Sequence, residues 1–226
     1  MEDNSGNPVY IKEIKGRQFM LRGNTMDEYV AKEGCYNHVN FEPSDVWLDI
    51  GANIGVFPVH HAHQVKEIYS FEPEGNNLYL LYENLQLNHI ANCTVRAKAV
   101  VWDDRLTADF YINLKKNKGA HSMTPTRGRQ LVQVPCVNIN HLISRLKPNK
   151  IKIDIEGGEY ELIKAIKDFS GIKEIVFEYH TTVLKDVTGV KLSELYTLLG
   201  KYYDVSGKSP EALAGNWYTI IHCIKK

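Results

Sequence analysis

The segment Val46-Trp-Leu-Asp-Ile-Gly-Ala-Asn-Ile-Gly55 joins a short apolar run to a glycine-containing turn and then to a helix-like stretch. A second apolar run follows and ends at Phe71-Glu-Pro73. In open α/β sheets, ligands bind at the carboxyl ends of the strands, and an acid about 20 residues after the glycine turn can bind a ribose. Glu72 stands at that distance from Gly51. The front half of the chain therefore predicts a site for an adenosine-bearing cofactor.

The residues of the turn indicate which cofactor this is. A dinucleotide site needs the pattern G-x-G-x-x-G, and Asn53 occupies the position of its second glycine. The nucleoside triphosphate loop G-x-x-x-x-G-K-[ST] does not occur in the sequence. Asp49 adds a negative charge, which suits a cationic ligand. These residues favour S-adenosylmethionine, held by Asp49, Gly51, Asn53, Gly55 and Glu72. The alternative is an ordinary turn in a Rossmann-like fold, with both acids on the surface.

Composition narrows the class of protein. The 226 residues suit one α/β domain, and a hydrophobic fraction of 43% supports a packed core. Lys plus Arg and Asp plus Glu both total 27, so the net charge of zero favours no nucleic-acid partner. No apolar stretch is long enough to span a membrane. The acidic N-terminus and the four scattered cysteines predict a cytoplasmic protein with reduced thiols, and the oligomeric state stays open.

Apolar segments along the chain predict strands alternating with helices, hence a mostly parallel sheet covered on both faces. The expected strands are 9–14, 18–22, 46–50, 68–71, 94–101, 107–112, 131–137, 150–155, 174–179, 202–206 and 217–224. The expected helices are 24–40, 53–65, 76–88, 138–146, 159–169 and 190–199. Residues 1–40 are predicted to form an acceptor-side cap, and residues 41–226 the cofactor-binding domain. The basic, glycine-punctuated stretch 113–129 predicts either a mobile loop or a lid over the acceptor.

Several segments together resemble the FkbM-type family, a branch of the class I methyltransferases that use S-adenosylmethionine. The resemblance covers residues from about 46 to 180, and its most specific segment is Lys152-Ile-Asp-Ile-Glu-Gly157. The chain departs from the family at Gly158, where Ala is usual. The resemblance implies a Rossmann-like α/β sandwich with a seven-stranded sheet and an antiparallel last strand. It also implies methyl transfer to oxygen, often on sugars or on hydroxyls of secondary metabolites.

Further residues are expected to contact the ligands. Ala99 and Val100, which end the third expected strand, are expected to flank the adenine, and Pro73 is expected to contact the cofactor. Gly119-Ala-His-Ser122 is similar to a segment near the active site in the family, so His121 and Ser122 are predicted to contact the substrate.

Four polar residues end the fourth and fifth core strands, namely Asp154, Glu156, Glu178 and His180. A hydroxyl acceptor must lose its proton during attack, so a base or a metal is expected among them. His180 is the predicted proton acceptor, because an ordinary histidine titrates near pH 6.5. Asp154 and Glu156 are predicted to orient acceptor and donor, and Glu178 to contact the substrate.

Asp154, Glu156 and His180 also have structural alternatives. Asp154 can form an ion pair with Lys152 or Lys173, since an unpaired buried acid is costly. Glu156 and Glu159 stand in the first turn of a helix, where acids stabilise the helix dipole. His180 is alternatively a polar residue at a strand end.

A divalent cation is a further possibility at the strand ends. Asp154, Glu178 and His180 would suffice to bind one, but a required metal is not expected. The histidines of residues 60–63 are predicted to be solvated or at the edge of the core.

The leading prediction is an O-methyltransferase acting on a sugar or glycan hydroxyl. Alternatives are methylation of another small-molecule hydroxyl, a catalytically idle cofactor-binding module, and a nicotinamide oxidoreductase.

Overall fold

A computed structural model describes residues 3, 6–33, 36, 38–114, 121–125, 128–184, 186, 189–208 and 218–226. The strands are β1 (Val9–Ile14), β2 (Arg17–Arg22), β3 (Val46–Ile50), β4 (Glu67–Phe71), β5 (Cys93–Arg96), β6 (Ala99–Val101), β7 (Thr107–Ile112), β8 (Gln130–Asn138), β9 (Lys150–Ile153), β10 (Glu174–Tyr179), β11 (Tyr203–Ser206) and β12 (Thr219–Lys225). The helices are α1 (Asp27–Glu33), α2 (Val56–His61), α3 (Gly75–Leu87), α4 (Ile139–Leu146), α5 (Glu159–Ala165), α6 (Thr181–Leu184) and α7 (Val190–Leu199).

The central sheet has seven strands in the order β11-β12-β10-β9-β3-β4-β5. Strand β12 runs antiparallel to both of its neighbours, while the pairs among β10, β9, β3, β4 and β5 are parallel. This arrangement confirms the expected α/β fold with an antiparallel last strand. Parallel strands need crossover connections, and their helices cover both faces of the sheet.

Apolar side chains fill the space on each face of the sheet. On one face, Leu162 of α5 and Leu195 of α7 pack against Ile151 and Phe177 of the strands. On the other, Leu81 of α3 packs in a cluster that includes residues of the N-terminal hairpin. In the described part of the chain, no helix is both long and apolar enough to cross a membrane.

The N-terminal hairpin, β1 paired with β2, is confirmed and is anchored to the rest of the fold. The Asn84 side chain on α3 accepts a hydrogen bond from the Met20 N–H at 2.6 Å and donates to the Ile54 carbonyl at 2.8 Å. The hairpin therefore shares a core with the sheet. Its assignment to a separate cap, with a boundary after residue 40, stays a prediction.

Two expected elements are wrong in extent. The single strand 94–101 is two strands, because the chain turns where the Lys98 N–H donates to the Arg96 carbonyl at 2.9 Å. Strand β6 then leaves the central sheet and pairs with β8 in a three-stranded sheet of order β6-β8-β7. The expected helix 24–40 is helical only over Asp27–Glu33 among the described residues.

The remaining expected elements are confirmed, some with the expected ends and the others with shifted ends. The helix expected from residue 53 begins at Val56, because Asn53 and Gly55 have φ angles of 51° and 86°. The strand expected to reach residue 155 ends at Ile153, and the chain turns at Glu156, whose φ is 56°. Both turns stand at the carboxyl ends of central strands, where the site is built.

Candidate active site

A cavity of about 990 Å³ opens at the carboxyl ends of β3, β4, β9 and β10. The sequence-predicted site residues that line it are Gly51, Asn53, Glu72, Pro73, Ala99, Val100, His121, Asp154, Glu156, Glu178 and His180. Three of the predicted residues, Asp49, Gly55 and Ser122, are not among its lining residues.

Gly51 directly follows β3 and has a positive φ of 80°. A Cβ atom on this residue would lie 1.8 Å from the backbone oxygen of Asp154, so only glycine fits. The N–H groups of Gly51 and Ala52 both donate to the Phe71 carbonyl, each at 3.0 Å. The turn is thus tied to the ends of the two neighbouring strands, β9 and β4.

Glu72 follows β4 and is almost completely buried. Its carboxylate accepts hydrogen bonds from the N–H groups of Asn53 and Glu74, each at 2.9 Å. Burial raises the pKa of Glu72 to about 7, although these two N–H groups favour its charged form. The carboxylate is therefore fixed beside the Gly51 turn and lines the cavity.

Asp49 lies beneath the cavity, fully buried in β3. Its carboxylate accepts a hydrogen bond from the Ser70 hydroxyl at 2.9 Å and pairs with the Lys152 ammonium at 3.1 Å. Lys152 also donates to the Gly51 carbonyl at 2.7 Å. Burial raises the pKa of Asp49, and Lys152 opposes that shift. Asp49 thus acts on the turn through Lys152.

Gly55 and Ser122 have packing and backbone contacts instead of a place in the cavity wall. A Cβ atom on Gly55 would lie 2.5 Å from the Leu81 side chain, so this glycine lets α3 approach closely. The Ser122 hydroxyl donates to the Glu156 carbonyl at 2.6 Å. Ser122 therefore supports the turn at Glu156, whose positive φ is unusual for a residue with a side chain.

His180 is the centre of a cluster of acids at the ends of β9 and β10. Its Nδ1 atom lies 2.7 Å from Oε1 of Glu159. Its Nε2 atom lies 3.5 Å from Glu156, 4.0 Å from Asp154 and 4.0 Å from Glu178. The side chain of His180 is only 8% exposed. The structure thus brings all the predicted catalytic residues together.

The charges of this cluster shift one another's pKa values. Burial raises the pKa of Glu156 to about 7 and that of Glu178 to about 8, and the charge of Asp154 adds to both shifts. Burial by itself would lower the pKa of His180, but Glu159, Glu156 and Asp154 together raise it to about 10. A protonated Nε2 has no lone pair, so the predicted role of His180 as a base requires that this proton first be displaced.

Sequence reasoning underrated two residues that hold the site together. The sequence predicts for Glu159 only a helix-dipole role, yet its carboxylate lies 2.7 Å from Nδ1 of His180 and accepts a hydrogen bond from the Gly157 N–H at 2.9 Å. The sequence predicts Lys152 only as a partner of Asp154, from which its ammonium lies 3.9 Å, yet it pairs more closely with Asp49, at 3.1 Å. The spacing Lys-x-Asp-x-Glu-x-x-Glu from residue 152 to 159 was the available signal.

The histidines of α2 lie at the edge of the core, one of the two positions predicted for them. His60 and His61 are buried in α2, and burial lowers the pKa of His60 to about 4, as suits a core-edge histidine.

In the predicted lid, residues 115–120, 126 and 127 lie outside the described part of the chain. Arg129 and His121, at its described edges, line the cavity. The lid stays a prediction.

The chain is similar to known methyltransferases in sequence and in fold. The family described as Methyltransferase FkbM domain matches residues 49–201. An FkbM methyltransferase from Methylobacillus flagellatus KT is similar with a TM-score of 0.51 at 16% identity, over 85% of this chain and 46% of that one. The chain therefore spans less than half the length of that structure. No curated protein matches the sequence significantly.

Two further solved structures share the fold. An rRNA methylase from Streptococcus thermophilus has a TM-score of 0.51 at 10% identity, over 82% of this chain and 89% of that one. M. jannaschii TYW2 in complex with AdoMet has a TM-score of 0.52 at 14% identity, over 97% of this chain and 88% of that one. Identities this low establish the fold alone.

Proposed function

Because the chain belongs to the FkbM methyltransferase family, we propose that it transfers the methyl group of S-adenosylmethionine to a hydroxyl group of a sugar or glycan. The observation that carries this proposal is a single cavity shared by Glu72 and the His180 cluster. Glu72 follows β4 and His180 follows β10, three strands apart in the sheet order. Neighbouring strands lie 4.7–4.9 Å apart, so the carboxyl ends of β4 and β10 are separated by roughly 14 Å. This distance suits a cofactor and an acceptor that are bound end to end.

In this proposal the cofactor lies across the ends of β4 and β3. The Glu72 carboxylate accepts hydrogen bonds from the two ribose hydroxyls, and the apolar surfaces of Ala99 and Val100 contact the adenine. Asn53 and Pro73 complete the wall around the ribose. The Gly51 turn leaves room for the methionine portion, whose sulfonium then points toward Asp154. The negative charge of this acid stabilises the cationic donor.

The reaction is an in-line displacement. The acceptor oxygen attacks the methyl carbon, the carbon–sulfur bond breaks, and its electron pair returns to sulfur to give neutral S-adenosylhomocysteine. The enzyme holds donor and acceptor in line, and such positioning can supply about 7–11 kcal/mol.

The proton of the acceptor hydroxyl passes to the cluster around His180. His180 first passes its Nε2 proton to the Glu156 carboxylate, 3.5 Å away, and the freed Nε2 lone pair then accepts the proton of the acceptor hydroxyl. Replacing a general base typically costs 10²–10⁴-fold in rate. His180→Ala is therefore expected to lower turnover by about that factor and to leave donor affinity within a few-fold. Near-full turnover of a folded His180→Ala variant would contradict this assignment.

The lining of the cavity supports an uncharged acceptor rich in hydroxyl groups. Asp154, Glu156 and Glu178 surround the reaction end, and carboxylates accept hydrogen bonds from hydroxyls while repelling phosphate groups. Tyr36 and His38, from the predicted cap, add flat ring surfaces to the wall. The fold itself does not exclude an RNA acceptor, since an rRNA methylase shares it.

Mass spectrometry tests the acceptor class. The protein is incubated with donor carrying a trideuteromethyl group and, separately, with glycan, small-metabolite and RNA fractions. We expect label on a glycan or sugar oxygen. Label confined to RNA, or to a small molecule without a sugar, would replace the proposed acceptor. Label in none of the fractions would contradict the proposed activity.

A further inference from the structure

Three side chains of the His180 cluster converge on one point. One oxygen of Asp154, one oxygen of Glu178 and one ring nitrogen of His180 all lie within 4.8 Å of one another. Two carboxylates and an imidazole form a common ligand set for divalent cations. Carboxylates alone occur in many places without an ion, so the orientation of the histidine is the decisive observation.

A carboxylate fixes the orientation of the His180 ring, as is usual for histidines that bind metals. Its Nδ1 atom pairs with Glu159, a fully buried carboxylate that is itself fixed by the Gly157 N–H. This contact turns Nε2 toward Asp154 and Glu178. Nε2 thus faces three carboxylates, 3.5 Å from Glu156 and 4.0 Å from both Asp154 and Glu178, in a side chain that is only 8% exposed. Metal-ligating histidines almost always donate their second ring N–H to a carboxylate or a carbonyl in this manner.

The cluster also carries more negative than positive charge. Asp154, Glu156 and Glu178 face one imidazole. Lys152 is engaged by Asp49 and by the Gly51 carbonyl, and Arg129 interacts electrostatically with Glu156. The ammonium of Lys152 remains 3.9 Å from Asp154. Carboxylates gathered in a partly buried site repel one another. A divalent cation would neutralise this repulsion.

We propose that Asp154, Glu178 and His180 bind a divalent cation of the oxygen-preferring class, such as Mg²⁺ or Mn²⁺. An octahedral cation with three protein ligands has three positions left for water or for an acceptor. The identity of the cation follows from the predominance of carboxylates.

Resting on the proposed function, the cation also activates the acceptor. A cation-bound oxygen loses its proton more readily than a free one. This inference replaces the assignment of His180 as the base. With the cation bound, His180 would lose its Nε2 proton to solvent and become a ligand, and the proton of the acceptor hydroxyl would pass to the Glu156 carboxylate. An acceptor with two adjacent hydroxyls, as in a sugar ring, can occupy two of the open positions.

Titration of the full chain with Mn²⁺ alone, followed by electron paramagnetic resonance and calorimetry, tests the site. We expect one bound ion, and a rise in the melting temperature with added Mn²⁺. Asp154→Asn and Glu178→Gln are each expected to weaken Mn²⁺ binding by about tenfold or more. Asp204→Asn, which changes an exposed acid on β11, is the matched control and should bind Mn²⁺ as the native chain does.

Two results would overturn the proposal. One is a native chain that binds neither Mn²⁺ nor Mg²⁺, and the other is unchanged Mn²⁺ binding by Asp154→Asn. Folding of each variant is checked by its melting temperature. Binding of S-adenosylhomocysteine, measured on the same samples with chelator present, separates this inference from the proposed function. Methyl transfer at full rate in chelator would overturn the inference alone, whereas loss of cofactor binding would contradict the function.

Discussion

The Nδ1 atom of His180, just after β10, lies 2.7 Å from Oε1 of Glu159, the first residue of α5. The second oxygen of Glu159 is buried and has no hydrogen-bond partner among the described residues. Burying a carboxylate is costly unless it is paired and hydrogen-bonded, and the partners of Oε1 are His180 and the Gly157 N–H. Its use here is to fix the histidine ring, so that the opposite nitrogen points at the acids of β9 and β10.

Glu159→Gln tests this orienting role. The amide keeps the shape of the side chain but removes its charge, so His180 loses its fixed orientation. We expect Mn²⁺ affinity to fall by about 10–100-fold, while S-adenosylhomocysteine affinity stays within about twofold. Glu161→Gln, two residues further along α5, is the control. Equal loss of both affinities in Glu159→Gln would indicate a purely structural role.

The sequence was sufficient to predict the sheet and most of the site. Apolar runs and their spacing predict the parallel strands, and parallel strands bring their carboxyl ends to one edge. This reasoning by itself predicts that Gly51, Glu72, Asp154 and His180 lie at the same edge of the sheet. It does not predict which way a side chain points. Asp49 was therefore expected at the cofactor, whereas it points beneath the cavity to Lys152.

The positions of turns are the second feature that the sequence does not predict. Residues 94–101 are expected to form one strand because many of them are apolar, and nothing in their pattern indicates the turn after Arg96 that separates β5 from β6. The strained backbone at Glu156 depends on contacts with a distant segment, the Ser122 hydroxyl among them. Contacts between remote parts of the chain leave no periodic signal in sequence.

The buried pair of Lys152 and Asp49 should matter for stability. Lys152→Met leaves the Asp49 carboxylate buried without a counter-charge, and breaking a buried pair typically costs about 3–5 kcal/mol. We expect that loss in the free energy of unfolding, measured in urea. Lys164→Met breaks an exposed pair with Glu194 and should cost less than about 1 kcal/mol. Equal losses of unfolding free energy in Lys152→Met and Lys164→Met would contradict the stabilising role of the buried pair.

Gly51→Ala should be among the most damaging small substitutions. The added Cβ atom meets the Asp154 backbone oxygen at 1.8 Å, and alanine disfavours the φ angle of 80°. Backbone strain of this kind costs about 1–3 kcal/mol before the clash is counted. We expect a lower melting temperature and loss of S-adenosylhomocysteine binding. Gly171→Ala, with open space around its Cβ position, should change neither. Native-like binding by Gly51→Ala would refute the turn geometry.

Cofactor affinity should depend on pH through Glu72. Burial raises the pKa of Glu72 to about 7 in the free protein, and Glu74 and Lys152 are the charged groups nearby. The ribose hydroxyls favour the charged carboxylate, so below pH 7 binding must release a proton. We expect S-adenosylhomocysteine affinity to fall by up to about tenfold per pH unit below 7. Glu72→Gln should bind weakly and lack this dependence; an identical pH profile in both proteins would exclude Glu72 as its source.

Calorimetric titration with S-adenosylhomocysteine tests the central claim most directly. The native chain should bind one equivalent, and NAD should give no binding. A charge-assisted hydrogen bond contributes about 1.5–3 kcal/mol, so Glu72→Ala should weaken binding by about tenfold or more. Glu13→Ala, at an exposed position on β1, should bind as the native chain does. No binding by the native chain, or equal affinity in a folded Glu72→Ala variant, would contradict the account.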